Sequence, residues 1–302
     1  MRRLEIKRQM SPADIAEVSE LLHAATRADG HDAMSDHQWL DLVQGGRSGF
    51  AGLVAWEPGH AHPVAYAQVS RGNDSWALDL VVDPHHRYEL AEIGPELLGA
   101  ALGVIASEGG GHVHWWVFEA LPLHHELARA VGLREGRLLH QLRCPLPTGI
   151  GYEVDTRPFV VGRDEEAWLE VNNRAFGRHP EQGGWDLATL HARQREPWFD
   201  PEGFLLHEVD GRLAGFCWTK IHDDPSGPLG EIYVIAVDPD FHGQGLGRAL
   251  TLAGLDHLTH RGVPTGMLYV DADNTAAVTM YRHIGFREHH SDRAFVGDIP
   301  PR

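Results

Sequence analysis

The stretch GEIYVIAVDPDFHGQGLGRAL, residues 230–250, constrains the fold of this chain more than any other part of the sequence. Its first part, residues 232–237, is an almost unbroken apolar and β-branched run, which predicts a strand covered on both faces. An Asp-Pro pair ends that strand, and apolar residues then recur at helical spacing from Leu246 to Ala253. A strand, a turn, a glycine-rich loop and a helix therefore follow one another directly.

The glycine-rich loop between this strand and this helix is suited to a phosphate or pyrophosphate ligand. Gly243, Gly245 and Gly247 lack Cβ atoms, so backbone N–H groups can approach a ligand closely. The helix N-terminus adds unpaired donors and the positive end of a dipole. The sequence has no G-x-x-x-x-G-K-S/T, which argues against a P-loop, and Leu250 stands where a dinucleotide fingerprint needs its last glycine.

A second stretch, LYVDADNTAAVTMYRHIGF at residues 268–286, reads as a strand, a polar turn, a helix and a Gly-Phe exit. The two stretches together resemble the acetyl-CoA-binding motifs of the Gcn5-related N-acetyltransferases. The loop pattern of that family, Q/R-x-x-G-x-G/A, is matched except that His242 stands at its first position. The second pattern, N-x-x-A-x-x-x-Y-x-x-x-G-F, is matched at Asn274, Ala277, Tyr281, Gly285 and Phe286.

The resemblance implies an α/β (α+β) fold, acetyl-CoA as the acetyl donor, and two catalytic residues. An ammonium must lose a proton before it can attack a thioester, and Glu231 is the expected base if burial raises its pKa. Tyr281 is expected to protonate the departing sulfur. Outside this family, a carboxylate that opens a strand is more often a solvated edge residue, and a tyrosine on an amphipathic helix is more often a core residue. The implied acetyl-CoA contacts are Ile235, Ala236, Val237, His242, Gly243, Gln244, Gly245, Leu246, Gly247, Arg248, Asn274, Thr275, Ala276, Ala277, Val278 and Thr279.

The chain reads as two tandem copies of one fold. Val82-Asp83-Pro84 matches Val237-Asp238-Pro239, and VGLRE at residues 131–135 matches IGFRE at residues 284–288. Prolines and glycines without periodicity fill the segment between the copies, as expected of a linker. We therefore expect two domains, at residues 1–146 and 152–302, each a central mixed β-sheet flanked by helices.

The two copies differ where the chemistry is expected. After Asp83-Pro84 the first copy has only Gly94 in place of a glycine-rich loop, and Leu121 and Ala128 take the places of Asn274 and Tyr281. These differences predict a degenerate first copy that serves as a scaffold, a substrate wall or a weak CoA site. By the resemblance, such a site would lie at the turn near residues 87–93 and at Leu80, Val81 and Val82.

Composition restricts the partners and the compartment. The formal net charge of −17 over 302 residues argues against nucleic acid and is compatible with a cationic amine substrate. With only two cysteines, no signal-peptide core and no run of 18 apolar residues, we expect a cytoplasmic protein that does not span a membrane. The 22 histidines show no third ligand clustered with their pairs in the sequence, so no metal is expected.

Two fused copies of this length resemble a tandem branch of the family that acetylates the cysteinyl amine of a cysteinyl-glucosaminyl-inositol. The resemblance implies a small aminoglycoside-like thiol as the substrate and a monomeric enzyme. The implied substrate contacts are Asp36, Glu181, Lys220, Glu231 and Tyr269. A different amine, such as a protein N-terminus or an aminoglycoside, remains an alternative, and so does a non-catalytic CoA-binding module.

Overall fold

The computed structural model describes residues 2–46, 48–60, 62–72, 75–177, 183–222 and 227–302, without the side chains of Asp36 and His37. The chain divides into two compact units. Unit 1 comprises residues 1–138 and 291–302, and unit 2 comprises residues 139–290.

Unit 1 begins with a strand and two helices, and an antiparallel meander and a strand–helix–strand crossover follow. Its elements are β1 (Arg3–Lys7), α1 (Pro12–Asp29), α2 (Asp36–Val43), β2 (Phe50–Trp56), β3 (Ala65–Arg71), β4 (Trp76–Val82), a 3-10 helix (Pro84–Glu89), α3 (Leu90–Ser107), β5 (Gly111–Phe118), α4 (Pro122–Ala130) and the first part of β6 (Arg134–Pro145). Helix α1 begins after Ser11, whose hydroxyl accepts a hydrogen bond from the Asp14 backbone N–H in a capping box. The helix stops at Gly30, which adopts the left-handed conformation.

The sheet of unit 1 separates two apolar layers. Its strand order is β1-β2-β3-β4-β5-β12, where β12 is Arg287–Ile299. One layer packs α3 and α4 on the sheet around Trp76, Trp115 and Phe295. The other layer packs α1 and α2 around Tyr66 and Phe50. The segment Pro84–Ser107 contains an 18-residue window with the mean hydropathy (1.4) of a membrane-spanning helix, but half of that window is buried inside the protein, as in a core helix.

Unit 2 repeats the same succession of elements. Its elements are the second part of β6, β7 (Arg157–Pro158), α5 (Glu165–Ala175), α6 (Leu187–Gln194), a 3-10 helix (Pro201–Gly203), β8 (Phe204–Val209), β9 (Arg212–His222), β10 (Leu229–Val237), a 3-10 helix (Pro239–Phe241), α7 (Leu246–His260), β11 (Thr265–Asp271), α8 (Thr275–Ile284) and the first part of β12. The strand order is β6-β11-β10-β9-β8-β7.

The predicted doubly covered strand is β10. Ile232, Ile235 and Val237 pack on the side of α7 and α8, whereas Val234 and Ala236 pack on the side of α5 and α6. Glycines let α7 lie close to the strands, because a Cβ on Gly254 would come within 2.5 Å of the Cys217 sulfur. This close packing fixes the start of α7 beside the end of β10.

Each unit takes its last strand from the other sequence repeat. Residues 139–145 of β6, which end the first repeat, pair antiparallel with β11 of the second. Residues 292–299 of β12, which end the second repeat, pair antiparallel with β5 of the first. The boundary predicted at the linker therefore describes the sequence repeat, and each compact unit draws one strand from across it.

Candidate active site

The central feature of unit 2 is an opening between two parallel strands. Strands β10 and β11 pair only at Leu229↔Thr265, Gly230↔Gly266 and Glu231↔Met267, although β10 continues to Val237. Strand β9 stays paired with β10 on the other side, through a register shift between Ile232 and Val234. The edge of β10 that faces β11 is therefore free of strand pairing beyond Glu231, and an extended ligand can lie along it.

The glycine-rich loop has the conformation that the sequence predicts for a phosphate site. Gly243 and Gly245 have φ of 80° and 77°, and a Cβ at either position would meet nothing within 4 Å. Gly245 caps α7 without a side-chain hydrogen bond, and the first hydrogen bond inside the helix is donated by Ala249. The first turn of α7 thus presents backbone N–H groups to the space over the loop, as an anion requires.

Asp238 holds the turn between β10 and this loop. Its buried carboxylate accepts a hydrogen bond from the Asp240 backbone N–H at 2.9 Å and pairs with the Arg174 guanidinium at 3.1 Å. The ring of His242 hydrogen-bonds back to the Val237 carbonyl oxygen at 3.0 Å. His242, the position at which the loop departs from the family pattern, therefore closes the turn in this structure.

Glu231 lies at the point where the two strands part. Its side chain is buried, with a relative exposure of 8%, and its Oε2 lies 2.7 Å from His222 Nε2. His222 is in the stretch GFCWTKIH, but nothing in the linear sequence showed that it would contact Glu231. The signal that could have found it is strand pairing, because β9 and β10 are antiparallel neighbours.

Strand register brings three predicted substrate contacts to one face of the sheet. Glu231 is the register partner of Lys220 on β9 and of Met267 on β11, and Tyr269 lies two residues beyond Met267. Register partners and residues two apart share a face of a sheet. Lys220, Glu231 and Tyr269 therefore form a polar strip across three strands.

Aromatic and amide side chains position the ends of this strip. The Lys220 ammonium lies 4.9 Å from the ring centroid of Trp198 and 5.8 Å from that of Tyr233, distances at which cation–π attraction acts. The Tyr269 hydroxyl accepts a hydrogen bond of 2.8 Å from the Gln141 amide, and the tyrosine is 41% exposed. Trp198 and Gln141 are further residues that sequence reasoning missed.

Tyr281 lies on α8, in the apolar layer on the opposite face of the sheet. Burial raises the pKa of Tyr281 well above its ordinary value, and the nearby Cys217 thiol adds to the increase. Cys217 is the register partner of Ile235 on β10, so the tyrosine approaches the part of β10 that lies beyond the pairing with β11. At neutral pH Tyr281 is protonated and its hydroxyl is a hydrogen-bond donor.

Comparison with known proteins places this arrangement in a family. Residues 166–286 match the acetyltransferase (GNAT) family. The mycothiol acetyltransferase of Acidimicrobium ferrooxidans is 42% identical over 295 residues, which cover 94% of each chain. That of Thermobispora bispora is 44% identical over 292 residues, covering 94% of this chain and 95% of the relative. The chain belongs to the mycothiol acetyltransferases.

Solved structures confirm the fold of this acetyltransferase. A tandem GNAT protein from the clavulanic acid biosynthesis pathway matches with a TM-score of 0.70 at 17% identity, covering 99% of this chain and all of that one. A GCN5-related N-acetyltransferase from Sphaerobacter thermophilus matches with a TM-score of 0.71 at 24% identity, covering 99% and 96% of the two chains. The predicted tandem GNAT architecture is therefore confirmed.

The remaining acetyl-CoA contacts implied for this acetyltransferase lie at the start of α8. Asn274 caps the helix, accepting a hydrogen bond of 3.2 Å from the Ala277 backbone N–H. Residues 274–276 are exposed, whereas Val278 is buried in the core. Their role in holding the cofactor stays a prediction, as do the roles of Glu231 and Tyr281.

The described stretch after Asp83-Pro84 in the first copy has no open glycine loop. Gly94 is buried, and a Cβ there would come within 2.9 Å of the Leu127 side chain. Leu121 caps α4 without a side-chain hydrogen bond, and Ala128 is buried in the position of Tyr281. Val81 and Val82 are largely buried. The first-copy CoA site at residues 80–82 remains a prediction.

Two predicted substrate contacts of the acetyltransferase lie at positions where the structure describes no side chain. Asp36 is the first residue of α2, but its side chain is not described, and Glu181 lies outside the described residues.

One histidine of a sequence pair lies in a spatial cluster that the sequence did not indicate. Potential ligand atoms of Glu57, His60 and His86 lie within 4.8 Å of one another. Chain folding brings the loop after β2 next to the turn after β4, and sequence distance hides this proximity. The absence of a metal stays a prediction.

Proposed function

We propose that this enzyme transfers the acetyl group of acetyl-CoA to the cysteinyl amine of a cysteinyl-glucosaminyl-inositol, the last step of mycothiol synthesis. The observation that carries the proposal is the position of Glu231. A buried carboxylate stands where β10 and β11 part, in register with Lys220. Both the mycothiol acetyltransferase relatives and the geometry of the opening support this reaction.

The donor lies along the opening in this proposal. Its pyrophosphate fits the exposed loop at Gly243 and Gly245 and the N-terminus of α7, where free backbone N–H groups meet the anion. Its extended arm lies beside residues 235–237, whose edge is not paired with β11. This placement directs the thioester toward the point where the strands part.

Glu231 accepts the proton in the chemical step. The acceptor arrives as an ammonium, and transfer of one proton to the carboxylate frees the nitrogen lone pair. The nitrogen attacks the thioester carbonyl carbon, and backbone N–H groups of β10 stabilise the oxyanion. The C–S bond then breaks, and the nitrogen loses its second proton to solvent as the amide forms. His222, hydrogen-bonded to Glu231, fixes the orientation of the carboxylate.

Tyr281 assists the departing sulfur from the other face of the sheet. Because burial keeps the pKa of Tyr281 above that of an ordinary thiol, the hydroxyl stabilises the thiolate chiefly as a hydrogen-bond donor. Solvent then completes protonation of the CoA thiol. The base and the hydrogen-bond donor thus act from opposite faces of the sheet, and the opening between the strands connects them.

The acceptor is recognised by the polar strip. A sugar–inositol acceptor carries many hydroxyl groups, which need donors and acceptors at several places. Lys220 supplies donors at one end of the strip, and the exposed Tyr269 supplies a hydroxyl at the other. Asp36 and Glu181 complete the proposed set. The enzyme is proposed to act as a monomer in the cytoplasm, without a metal.

An acceptor panel tests this function. The protein is incubated with acetyl-CoA and, separately, with cysteinyl-glucosaminyl-inositol, peptides with free N-termini, and aminoglycosides. Mass spectrometry of the acetylated product avoids confusion between the thiol of the substrate and released CoA. We expect efficient acetylation of the first acceptor alone. Preferential acetylation of a peptide or an aminoglycoside would refute the proposed acceptor, and no acetylation of any amine would refute transfer itself.

A further inference from the structure

Strand β6 extends the sheet of unit 2 beside the polar strip. Its residues 139–145 end the first sequence repeat and pair with β11 inside unit 2. Gln141 is the register partner of Tyr269, and Arg143 is that of Met267. Register partners, and residues two apart on one strand, share a face of a sheet. Gln141 and Arg143 therefore lie on the face that carries the polar strip.

Two hydrogen bonds join these side chains to the polar strip. Arg143 Nε donates to Gln141 Oε1 at 2.7 Å, and Gln141 Nε2 donates to the Tyr269 hydroxyl oxygen at 2.8 Å. Gln141 is 4% exposed, whereas Tyr269 is 41% exposed. A buried amide whose polar atoms lose their partners costs free energy, so the two contacts hold Gln141 in one orientation. We call the series Arg143, Gln141 and Tyr269 the relay.

The direction of both hydrogen bonds follows from the chemistry of arginine. A guanidinium group has only donors, so the part of Gln141 that faces Arg143 is the amide oxygen. The amide nitrogen, which carries only donors, then faces Tyr269, and the tyrosine oxygen accepts. The opposite orientation of the amide would place its N–H groups against the guanidinium. The Tyr269 hydroxyl therefore accepts from Gln141 and donates its own hydrogen to a different partner.

We propose that Arg143 and Gln141 are positioning residues that make Tyr269 a hydrogen-bond donor to the bound cysteinyl-glucosaminyl-inositol. This inference rests on the proposed function, because it takes Tyr269 as a substrate contact. A sugar or inositol hydroxyl can accept the hydrogen bond, whereas an ammonium group has donors only. A substrate with an ammonium group at this place would set two donors against each other. The relay thus favours a polyhydroxylated substrate over an aminoglycoside with an ammonium group in the same position.

A double-mutant cycle with the complete chain tests the relay. Gln141→Glu keeps the size of the side chain and can still accept from Arg143, but it turns a carboxylate oxygen, which only accepts, toward Tyr269. The Tyr269 hydroxyl then donates to this carboxylate and no longer to the substrate. Steady-state kinetics give KM and kcat for wild type, Gln141→Glu, Tyr269→Phe and the double variant. Gln9→Glu, which adds the same charge at an exposed position, is the control.

We expect Gln141→Glu to raise the KM for cysteinyl-glucosaminyl-inositol about tenfold and to leave kcat and acetyl-CoA affinity unchanged, because one binding contact of this substrate is lost. In the Tyr269→Phe background no hydroxyl can reorient, so the same substitution should change KM by less than about twofold. Gln9→Glu should give wild-type values. An unchanged KM in Gln141→Glu, or an equal rise of KM in both backgrounds, would overturn the proposal.

A second measurement keeps the proposal open to refutation if Gln141→Glu folds poorly. The side-chain amide protons of Gln141 are observed by NMR in wild type and in Tyr269→Phe, without substrate. One of the two signals should move upfield in Tyr269→Phe, because its proton loses a hydrogen bond. If the amide oxygen faced Tyr269, neither proton would lose its partner, so unchanged signals would overturn the assignment. This measurement involves no acetyl transfer, so its failure is distinct from failure of the proposed function.

Discussion

Replacing Asp79 by asparagine should change how the stability of the protein depends on pH. Burial raises the pKa of Asp79 from 3.8 to about 7 in the folded protein. In the unfolded chain this carboxyl titrates near its ordinary value. Between about pH 4 and pH 7 the folded protein therefore holds a proton that the unfolded chain has released, and the free energy of unfolding falls as the pH rises through this range.

The size of the effect follows from the difference between the two pKa values. They differ by about 3, and each step of one corresponds to about 1.4 kcal/mol, so wild type should lose up to about 4 kcal/mol by about pH 8. Asparagine has nearly the same shape and does not titrate. Asp79→Asn should therefore match wild type near pH 4, within about 1 kcal/mol, and exceed its stability at alkaline pH by up to about 4 kcal/mol.

Urea unfolding at several pH values between about 5 and 8 measures this difference. Wild type, Asp79→Asn and the exposed-site control Glu96→Gln are compared at each pH. Other raised carboxyl pKa values, such as that of Asp292 at about 6, contribute equally to all three proteins and cancel. Parallel stability curves for wild type and Asp79→Asn across this range would refute the reasoning, because they would show that burial does not perturb Asp79.

Three further predictions concern unit 2. Gly245→Ala should weaken acetyl-CoA binding at least tenfold by calorimetry, because a side chain at φ 77° is strained by about 1 kcal/mol and distorts the loop. The control is Gly262→Ala at the other end of α7, where φ is 78°. This variant should carry the same strain and leave the acetyl-CoA affinity unchanged. Equal losses in the two variants would contradict a cofactor role for the loop. His222→Ala removes the 2.7 Å contact with Glu231. This variant should lower kcat about tenfold and change the pH–rate profile without altering acetyl-CoA affinity. An unchanged pH–rate profile would show that this contact does not affect the base. The fragment 139–290 should unfold cooperatively on heating, whereas the fragment 152–302 should not, because the second fragment lacks residues 139–145 of β6, which pair with β11. Cooperative unfolding of both fragments would mean that this part of β6 is dispensable.

Local features of the fold were predictable because their causes are local. Residues 232–237, an apolar run on both faces of the strand, lie in the buried strand β10. Ser11 caps α1, as its three-residue spacing from Asp14 predicts. The glycine spacing predicted an open loop before a helix, and Gly243 and Gly245 adopt the left-handed conformation that this loop requires. In each case a few neighbouring residues determine the outcome.

Features that depend on pairing between distant segments were not predictable. The exchange of last strands between the repeats rests on β6 pairing with β11 and β12 with β5, which no local pattern encodes. The contact of His222 with Glu231 and the burial of Asp79 also depend on which strands are neighbours. The grouping of His60 and His86 with Glu57 has the same origin.

The central claim is that Glu231 accepts the proton of the acceptor amine at the opening between β10 and β11. The most direct test is the rate of acetyl transfer to cysteinyl-glucosaminyl-inositol by Glu231→Gln, with acetyl-CoA affinity measured on the same protein. Glu166→Gln, at an exposed position of α5, is the control. The account predicts a fall in kcat of about a hundredfold or more in Glu231→Gln, with unchanged acetyl-CoA affinity and a wild-type rate in the control. A wild-type rate in Glu231→Gln would contradict the account.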